Sequence, residues 1–418
     1  MGLMRGSMSF RSYGLSGEWP AVVDDWILGC LAGGAFGTAR VQSADGSEAG
    51  FITARHLFDV NFDAPGCSAG EFVYFQMRQD RHRVPGDVLR SYVAMEESAL
   101  LAAGGRGFLT RNERQEARDN ARHRADKEIK TGAYRRISSA GVLLDLGAQR
   151  LHLFGGGQRL SEVFCGLFEV SFDRVLDPLS AGVLAGQYAR RHGLVRALED
   201  LGPAAFIDPP GEHMAQGIGS ATYAHERDFL GMEFLTWLGW KCDGGTATID
   251  LAGSGVRTAE VVLDRAMELS CVYDLTGRAS VRASGAASAP ETRSALARGK
   301  QPRRAGLMVA AGDLQATLVL EGCGFAVSGV SLLGDDSAGG PSAAAGAGGG
   351  GQSGRGGRGR DAAEELAARF EAARELSAVL ERMFGTFVKL RCGGEWSGEL
   401  RKIRSWVKAG GGTGAEAG

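Results

Sequence analysis

The sequence predicts an α+β protein: antiparallel sheets with packed helices and one projecting helical hairpin. Three observations lead there. Segments that alternate apolar and polar residues, or run apolar, occur in two groups, one in each half of the chain. Some neighbouring segments are joined by Gly-containing turns, as antiparallel hairpins are. Segments with helical periodicity flank both groups, and one charged helical pair interrupts the first.

The elements follow in order. Residues before Met8 show little patterning and read as a dispensable leader. "MSFRSYGL" begins the first strand. "WPAVVDDWILGCLAGG" reads as an amphipathic helix with Pro20 in its first turn and Gly33-Gly34 after its end. "EAGFITA" and "EFVYFQMRQD" read as strands, with Phe72, Tyr74 and Gln76 on one face and Val73, Phe75 and Met77 on the other. "VPGDVLRSYVAMEESALLAAGG" is a helix stopped by Gly104-Gly105. "TRNERQEARDNARHRADKEIK" is a second, and the two form an αα-hairpin. "AGVLLDLGAQRLHLFG" reads as a β-hairpin, and "QRLSEVFCGLFEVSF" as a helix packing back on it. The second half restarts with "ERDFLGMEFLTWLGWK", an amphipathic helix. Strands follow in "TATIDLAG", "AEVVLD" and "MELSCVYDL", then a helix ending at Gly299, then the hairpin "LQATLVLEGCGFAVSGVSL". The Gly, Ala and Ser run from Gly334 to Arg360 cannot bury enough to order itself and reads as a linker. A long helix with Asp361 at its cap and a short last helix close the chain.

This divides the chain into an N-terminal α+β domain (8–84 and 136–215) with an inserted helical finger (85–135). A second α+β domain (216–333), a disordered linker (334–360) and C-terminal helices (361–409) follow.

The bulk numbers narrow the function. With 47 Lys plus Arg against 49 Asp plus Glu, the net charge is -2, so contact with nucleic acid requires a local basic patch. No apolar run is long enough for a membrane span, and no signal peptide is visible. Seven scattered cysteines without a CxxC pair read as small apolar residues of a reduced cytosolic protein. The seven histidines are dispersed, His213 and His225 reading as surface residues, so neither a metal site nor a cofactor is expected.

The charged helix of the αα-hairpin is the most informative stretch. At 3.6 residues per turn, Arg111, Arg114, Arg118 and Arg122 share one face, and Ala117, Ala121, Ala125 and Ile129 share another. Two readings are open: a solvated helix laced with ion pairs, or a projecting helix that offers an arginine row to phosphates. Lys127, Lys130, Arg135 and Arg136 continue the basic character, and Arg298, Lys300, Arg303 and Arg304 form a second cluster. Two catalytic motifs fail. "LFGGGQRLSE" lacks both phosphate-loop spacings and reads as a tight turn, and the acids around "DKEIK" point in several directions from an exposed helix.

Four stretches, in order, carry a family resemblance: "FVYFQMRQDRHRVPGDVLRSYV", "LTRNERQEARDNARHRADKEIKTGAYRRISSAGVLLDL", "GMEFLTWLGWK" and "ALARGKQPRRAGLMV". Through them the chain resembles the recombination-associated RdgC family of bacterial DNA-binding proteins, from about Met8 to Val407. The resemblance implies a ring-shaped homodimer that encloses double-stranded DNA in a basic hole, without sequence preference or catalysis. It also implies a nucleoid location and restraint of recombinase loading. The charged pair becomes the finger that closes the ring, and Tyr134 matches a family aromatic at that gate. Two rival readings stay open: a metal-dependent nuclease, and a protein-interaction scaffold with weak DNA affinity.

Overall fold

Two strand-rich stretches, 8–178 and 247–332, build one sheet. The computed structural model describes residues 7–38, 47–105, 107–208, 225–251, 253, 255–273, 276–332 and 358–411, apart from the side chains of 358–364 and 410–411. The first stretch contributes β1 (Met8–Leu15), α1 (Asp25–Gly33), β2 (Glu48–Ile52), α2 (Ala64–Cys67), β3 (Ser68–Ala69) and β4 (Phe72–His82). The helical pair α3 (Gly86–Gly104) and α4 (Arg111–Lys130) follows, then β5 (Arg135–Asp145), β6 (Arg150–Phe154), α5 (Gln158–Phe172), β7 (Leu176–Pro178), α6 (Ala181–His192) and α7 (Val195–Glu199). Beyond α8 (Phe229–Lys241) come β8 (Ala247–Asp250), β9 (Thr258–Cys271), β10 (Ala279–Val281), α9 (Pro290–Ala297), β11 (Lys300–Ala311), β12 (Leu314–Glu321) and β13 (Val327–Leu332). The chain then forms α10 (Arg358–Cys392) and α11 (Trp396–Gly411).

The sheet has 13 strands, its main path running β10-β9-β11-β12-β13-β1-β6-β5-β4-β2, and every strand pairing is antiparallel. The seam is β1. It pairs with β6 on one side, Phe10 opposite Phe154, and with β13 on the other, Met8 opposite Val330. The two α+β units expected from sequence thus share one sheet.

Alternation sets the layers. Val73, Phe75 and Met77 of β4 bury into a core with Ile27 and Leu31 of α1 and Phe164, Phe168 and Phe172 of α5. Phe72 and Tyr74 turn to the opposite face, where their rings meet Phe370 of α10 at 5.7 and 5.4 Å. The larger core gathers α6, α8 and α10 over the second half of the sheet. Here α8 departs from expectation. It is buried from Phe229 through Gly239, on every side, and is not amphipathic. Two residues make this possible. Gly231 lets the backbone of Gly322 approach so closely that a Cβ would lie 2.0 Å from its carbonyl oxygen. The carboxylate of Glu233, buried like its partner, accepts from Arg391 Nε at 2.8 Å and from the Ala204 amide, so the charge is paired where it lies.

Other boundaries also differ. Asp24 caps α1 by accepting from the Ile27 amide at 2.9 Å, so Pro20 lies outside that helix. "AEVVLD" and "MELSCVYDL" lie largely in the single strand β9, in which Arg265 has φ 67°. Asp361 lies inside α10, not at its cap. Helices α6 and α7 are not apparent from the sequence, because the apolar residues of α6 are largely small and α7 has only five residues. Residues 1–6, His213 and 333–357 lie outside the described residues.

Candidate nucleic-acid interface

The helical pair leaves the sheet on a two-stranded arm. β5 pairs with β4 along its whole length, from Arg135 opposite His82 to Asp145 opposite Phe72, but with β6 only from Val142 onward. Its first seven residues, Arg135–Gly141, therefore run past β6, roughly 20 Å at the usual rise per residue. At the arm's end stand α3 and α4, packed on each other. The 20 residues of α4 add about 30 Å of length.

A capping box starts α4. The Thr110 hydroxyl accepts from the Glu113 amide at 3.3 Å, and Glu113 Oε2 accepts from the Thr110 amide at 2.8 Å. Along the helix only Ala117, Ala121 and Ala125 are buried. Small side chains let α3 approach closely, but they stabilise the pair little, because each removes about one methyl group from water. Every other side chain of α4 is exposed or half-exposed. Gly132 follows the helix at φ 88°, a backbone conformation that favours glycine, and turns the chain back toward β5.

Arg111, Arg114 and Arg118 are exposed, and none makes an ion pair among the described residues. Arg122 is the exception in the row, 3.3 Å from Asp119. On another flank, Arg124 lies over the Tyr92 ring at 4.3 Å and 3.8 Å from Glu128. Lys127 and Lys130 are exposed in the last turns, where cations complement the helix dipole.

The arm adds charge that the sequence reading partly missed. Arg81 of β4 stands directly opposite Arg136 of β5. Like charges in that register repel unless a counter-charge is near. Arg81 and Arg136 have no ion-pair partner among the described residues, and Arg81 Nε is buried without a hydrogen bond. Arg83 is exposed beside them. Strand pairing creates this cluster from residues over fifty positions apart, so no local window reveals it. Arg135 differs: its Nε donates to Asp80 at 2.6 Å, beside Arg78, which also holds Asp80. Burial pushes the Asp80 carboxyl up, but the hydrogen bonds from Arg78 and Arg135 outweigh it and hold it below the usual carboxylate range.

Tyr134 does not sit at the tip of the hairpin. It lies at the base, half-buried, with φ 59°. Its hydroxyl donates to Glu128 at 2.7 Å, and Tyr92 donates to the same carboxylate at 2.8 Å. Hydrogen bonds with Tyr92 and Glu128 push the Tyr134 phenol well above its ordinary range, and the bonds from Tyr134 and Tyr92 hold Glu128 low. The exposed aromatic near the tip is Phe108, 66% exposed in the loop between the helices.

The second predicted cluster divides. Arg298 is exposed after α9 and Lys300 is half-buried at the start of β11. Arg303 and Arg304 lie further along β11, where the register slips between Pro302 and Arg304. Arg304 is opposite Glu268 on one neighbour and Glu321 on the other. Both arginines have acidic partners, Arg303 to Glu321 at 3.8 Å and Arg304 to Glu268 at 3.6 Å.

Fold and site together define an α+β protein with a charged helical hairpin, bearing an exposed arginine row, carried on a projecting arm. Comparison with protein-family models and with curated proteins returns no match. Among the described residues no helix is long and apolar enough to cross a membrane, and no three His, Cys, Asp or Glu side chains are grouped to hold a metal ion.

Proposed function

We propose that this chain is a non-catalytic protein that binds double-stranded DNA without reading its sequence, through the α3–α4 hairpin and the arm beneath it. One observation carries the reading: Arg111, Arg114 and Arg118 are exposed and make no ion pair among the described residues, while Asp119 of the same helix is taken by Arg122 and Gln115. From Arg111 to Arg122 the row spans about 17 Å of helix axis. A duplex presents about ten phosphates over that length. Arg81, Arg83 and Arg136 extend the charge along the arm. Such contacts position a duplex and carry no base information.

The four stretches that resemble the ring-forming recombination proteins support the larger reading. Two copies close around DNA, bind the nucleoid in the cytoplasm and restrain recombinase loading. Exposed Phe108 offers the hairpin an apolar contact for a second copy, whereas Tyr134 ties the hairpin to its base.

A salt titration tests the proposal. Each lost phosphate contact flattens the plot of log affinity against log salt by about 0.9. Arg114→Ala with Arg118→Ala should lower the slope by roughly two units and weaken all duplex sequences alike. An unaltered slope would make the row a solvated surface.

A further inference from the structure

The cleft where the two halves of the sheet meet holds four arginines that the hairpin does not use. We infer that it is a binding site for a phosphate-bearing ligand. It encloses about 380 Å³, within the size range of small-ligand sites. Arg11 comes from β1, Arg278 from the approach to β10, and Arg303 and Arg304 from β11. Glu268 and Glu321 are the acids among its lining residues, so four positive groups face two negative ones and the cleft is left with two positive charges in excess.

The four arginines are not equivalent. Arg303 and Arg304 are held by Glu321 and Glu268, and Arg304 also donates to the Ser328 hydroxyl at 3.1 Å. A guanidinium has five N–H donors, so these contacts orient the groups and leave donors over. Arg11 is half-buried and Arg278 exposed, and neither makes an ion pair among the described residues. Four cations converging on one concave surface repel one another, and an anion relieves that cost. A phosphate fits best: its oxygens match the planar guanidinium fork, and the charge of about two on a monoester, or on two adjacent backbone phosphates, matches the excess.

The opposite wall is the loop Gly155–Gly157 with Ser161 of α5. Gly155 and Gly157 have φ 135° and 125°, and a Cβ at Gly156 or Gly157 would meet nothing within 4 Å. The loop therefore offers bare backbone to the cleft. The arginines supply most of the charge; the amides that open α5, whose Gly157 cap brings no side chain, add a fraction more. Judged by spacing alone this loop is a tight turn, since its cationic partners are residues 11, 278, 303 and 304.

The phosphate has two possible sources, a free phosphorylated compound or a DNA backbone, and the test separates them. Pyrophosphate and, separately, a short duplex are titrated into the full chain by calorimetry. The proteins are the wild type, Arg278→Ala, Arg11→Ala and the Arg114→Ala, Arg118→Ala pair, with folding checked by circular dichroism. Pyrophosphate should bind, and each cleft variant should weaken it about tenfold or more, since a charge-assisted hydrogen bond is lost. The hairpin pair should bind pyrophosphate normally even if it loses the duplex, which keeps this inference distinct from the function proposed above. Displacement of pyrophosphate by the duplex would identify a backbone phosphate as the ligand; no displacement would identify a free compound. Should pyrophosphate fail to bind while Arg278→Ala and Arg11→Ala both weaken the duplex, the backbone is again the ligand. Affinities for both probes unchanged in Arg278→Ala, which is exposed and should fold, would overturn the inference.

Discussion

α4 and α10 are both long, highly charged helices, and they do opposite jobs. α10 buries Leu366, Phe370, Leu376, Val379, Leu380, Met383, Phe384, Phe387 and Val388, whereas α4 buries three alanines. A fully buried Leu or Phe stabilises by about 1.5–3 kcal/mol and a methyl group by less than 1. α10 is accordingly a strut. Phe370 meets the first half of the sheet, Arg374 binds Asp145 at 2.5 Å, and Phe384 and Phe387 pack on Phe234 of α8 at 5.4 and 5.7 Å. α4 is held by its cap, its intrahelical bonds and α3, and leaves its remaining surface exposed or half-exposed. The difference teaches that helix length and charge do not separate a core helix from a displayed one. The size of the residues in the buried stripe does.

The largest effect should come from breaking the strut. Phe387→Ala is expected to cost about 3–5 kcal/mol in denaturant unfolding. A loss below about 1 kcal/mol would mean that the apolar stripe of α10 does not hold α8 in the core.

The body should also carry a pH dependence set by a buried histidine. His152 is buried on the face of the sheet beside Phe10, its Nδ1 2.9 Å from the Ser12 hydroxyl, and burial pushes its pKa down to about 4 from 6.5. A depressed imidazole means that the unfolded chain binds the proton more readily. Its contribution is full above about pH 6.5 and is lost as pH falls toward 4. The shift corresponds to about 3 kcal/mol across that window. Stability of His152→Gln measured at pH 4 and pH 7 should differ by correspondingly less than that of the wild type; an equal difference would place the acid sensitivity elsewhere.

Changes on the hairpin should be small in stability and visible in binding. Arg122→Ala removes the exposed pair with Asp119, worth roughly 0.3–0.5 kcal/mol, and the double change at Arg114 and Arg118 removes no pair. A larger loss in either would show that the row holds the helix. Smallest of all in stability should be Phe108→Ser, because that ring is exposed. Light scattering should nevertheless find weaker self-association, while Tyr134→Phe should leave the dimer as it was. The reverse order would place the gate at Tyr134.

Several elements were legible in the residues themselves. β1 and α5 begin at the residues that alternation and periodicity indicate, and the two faces of β4 separate as the pattern requires. The arginine row on α4 and the stripe of α10 also follow from spacing, since a helix repeats every 3.6 residues whatever surrounds it. What the pattern could not say is how much company an element keeps. α8 reads as one-sided, yet it is enclosed by α6, α10 and the sheet.

By itself, then, the sequence determined the local periods: the start of β1, the two faces of β4, which arginines of α4 share a face, where Thr110 starts a helix. Only the tertiary structure decided that β1 joins two halves into one sheet, that Arg81 faces Arg136, and that Tyr134 anchors the hairpin's base. It also brought Arg11, Arg278, Arg303 and Arg304 into one cleft. The physical reason is range. Helical and strand periods come from neighbours a few bonds apart, whereas a sheet's partners are selected by the burial of whole faces, here between residues as distant as Met8 and Val330.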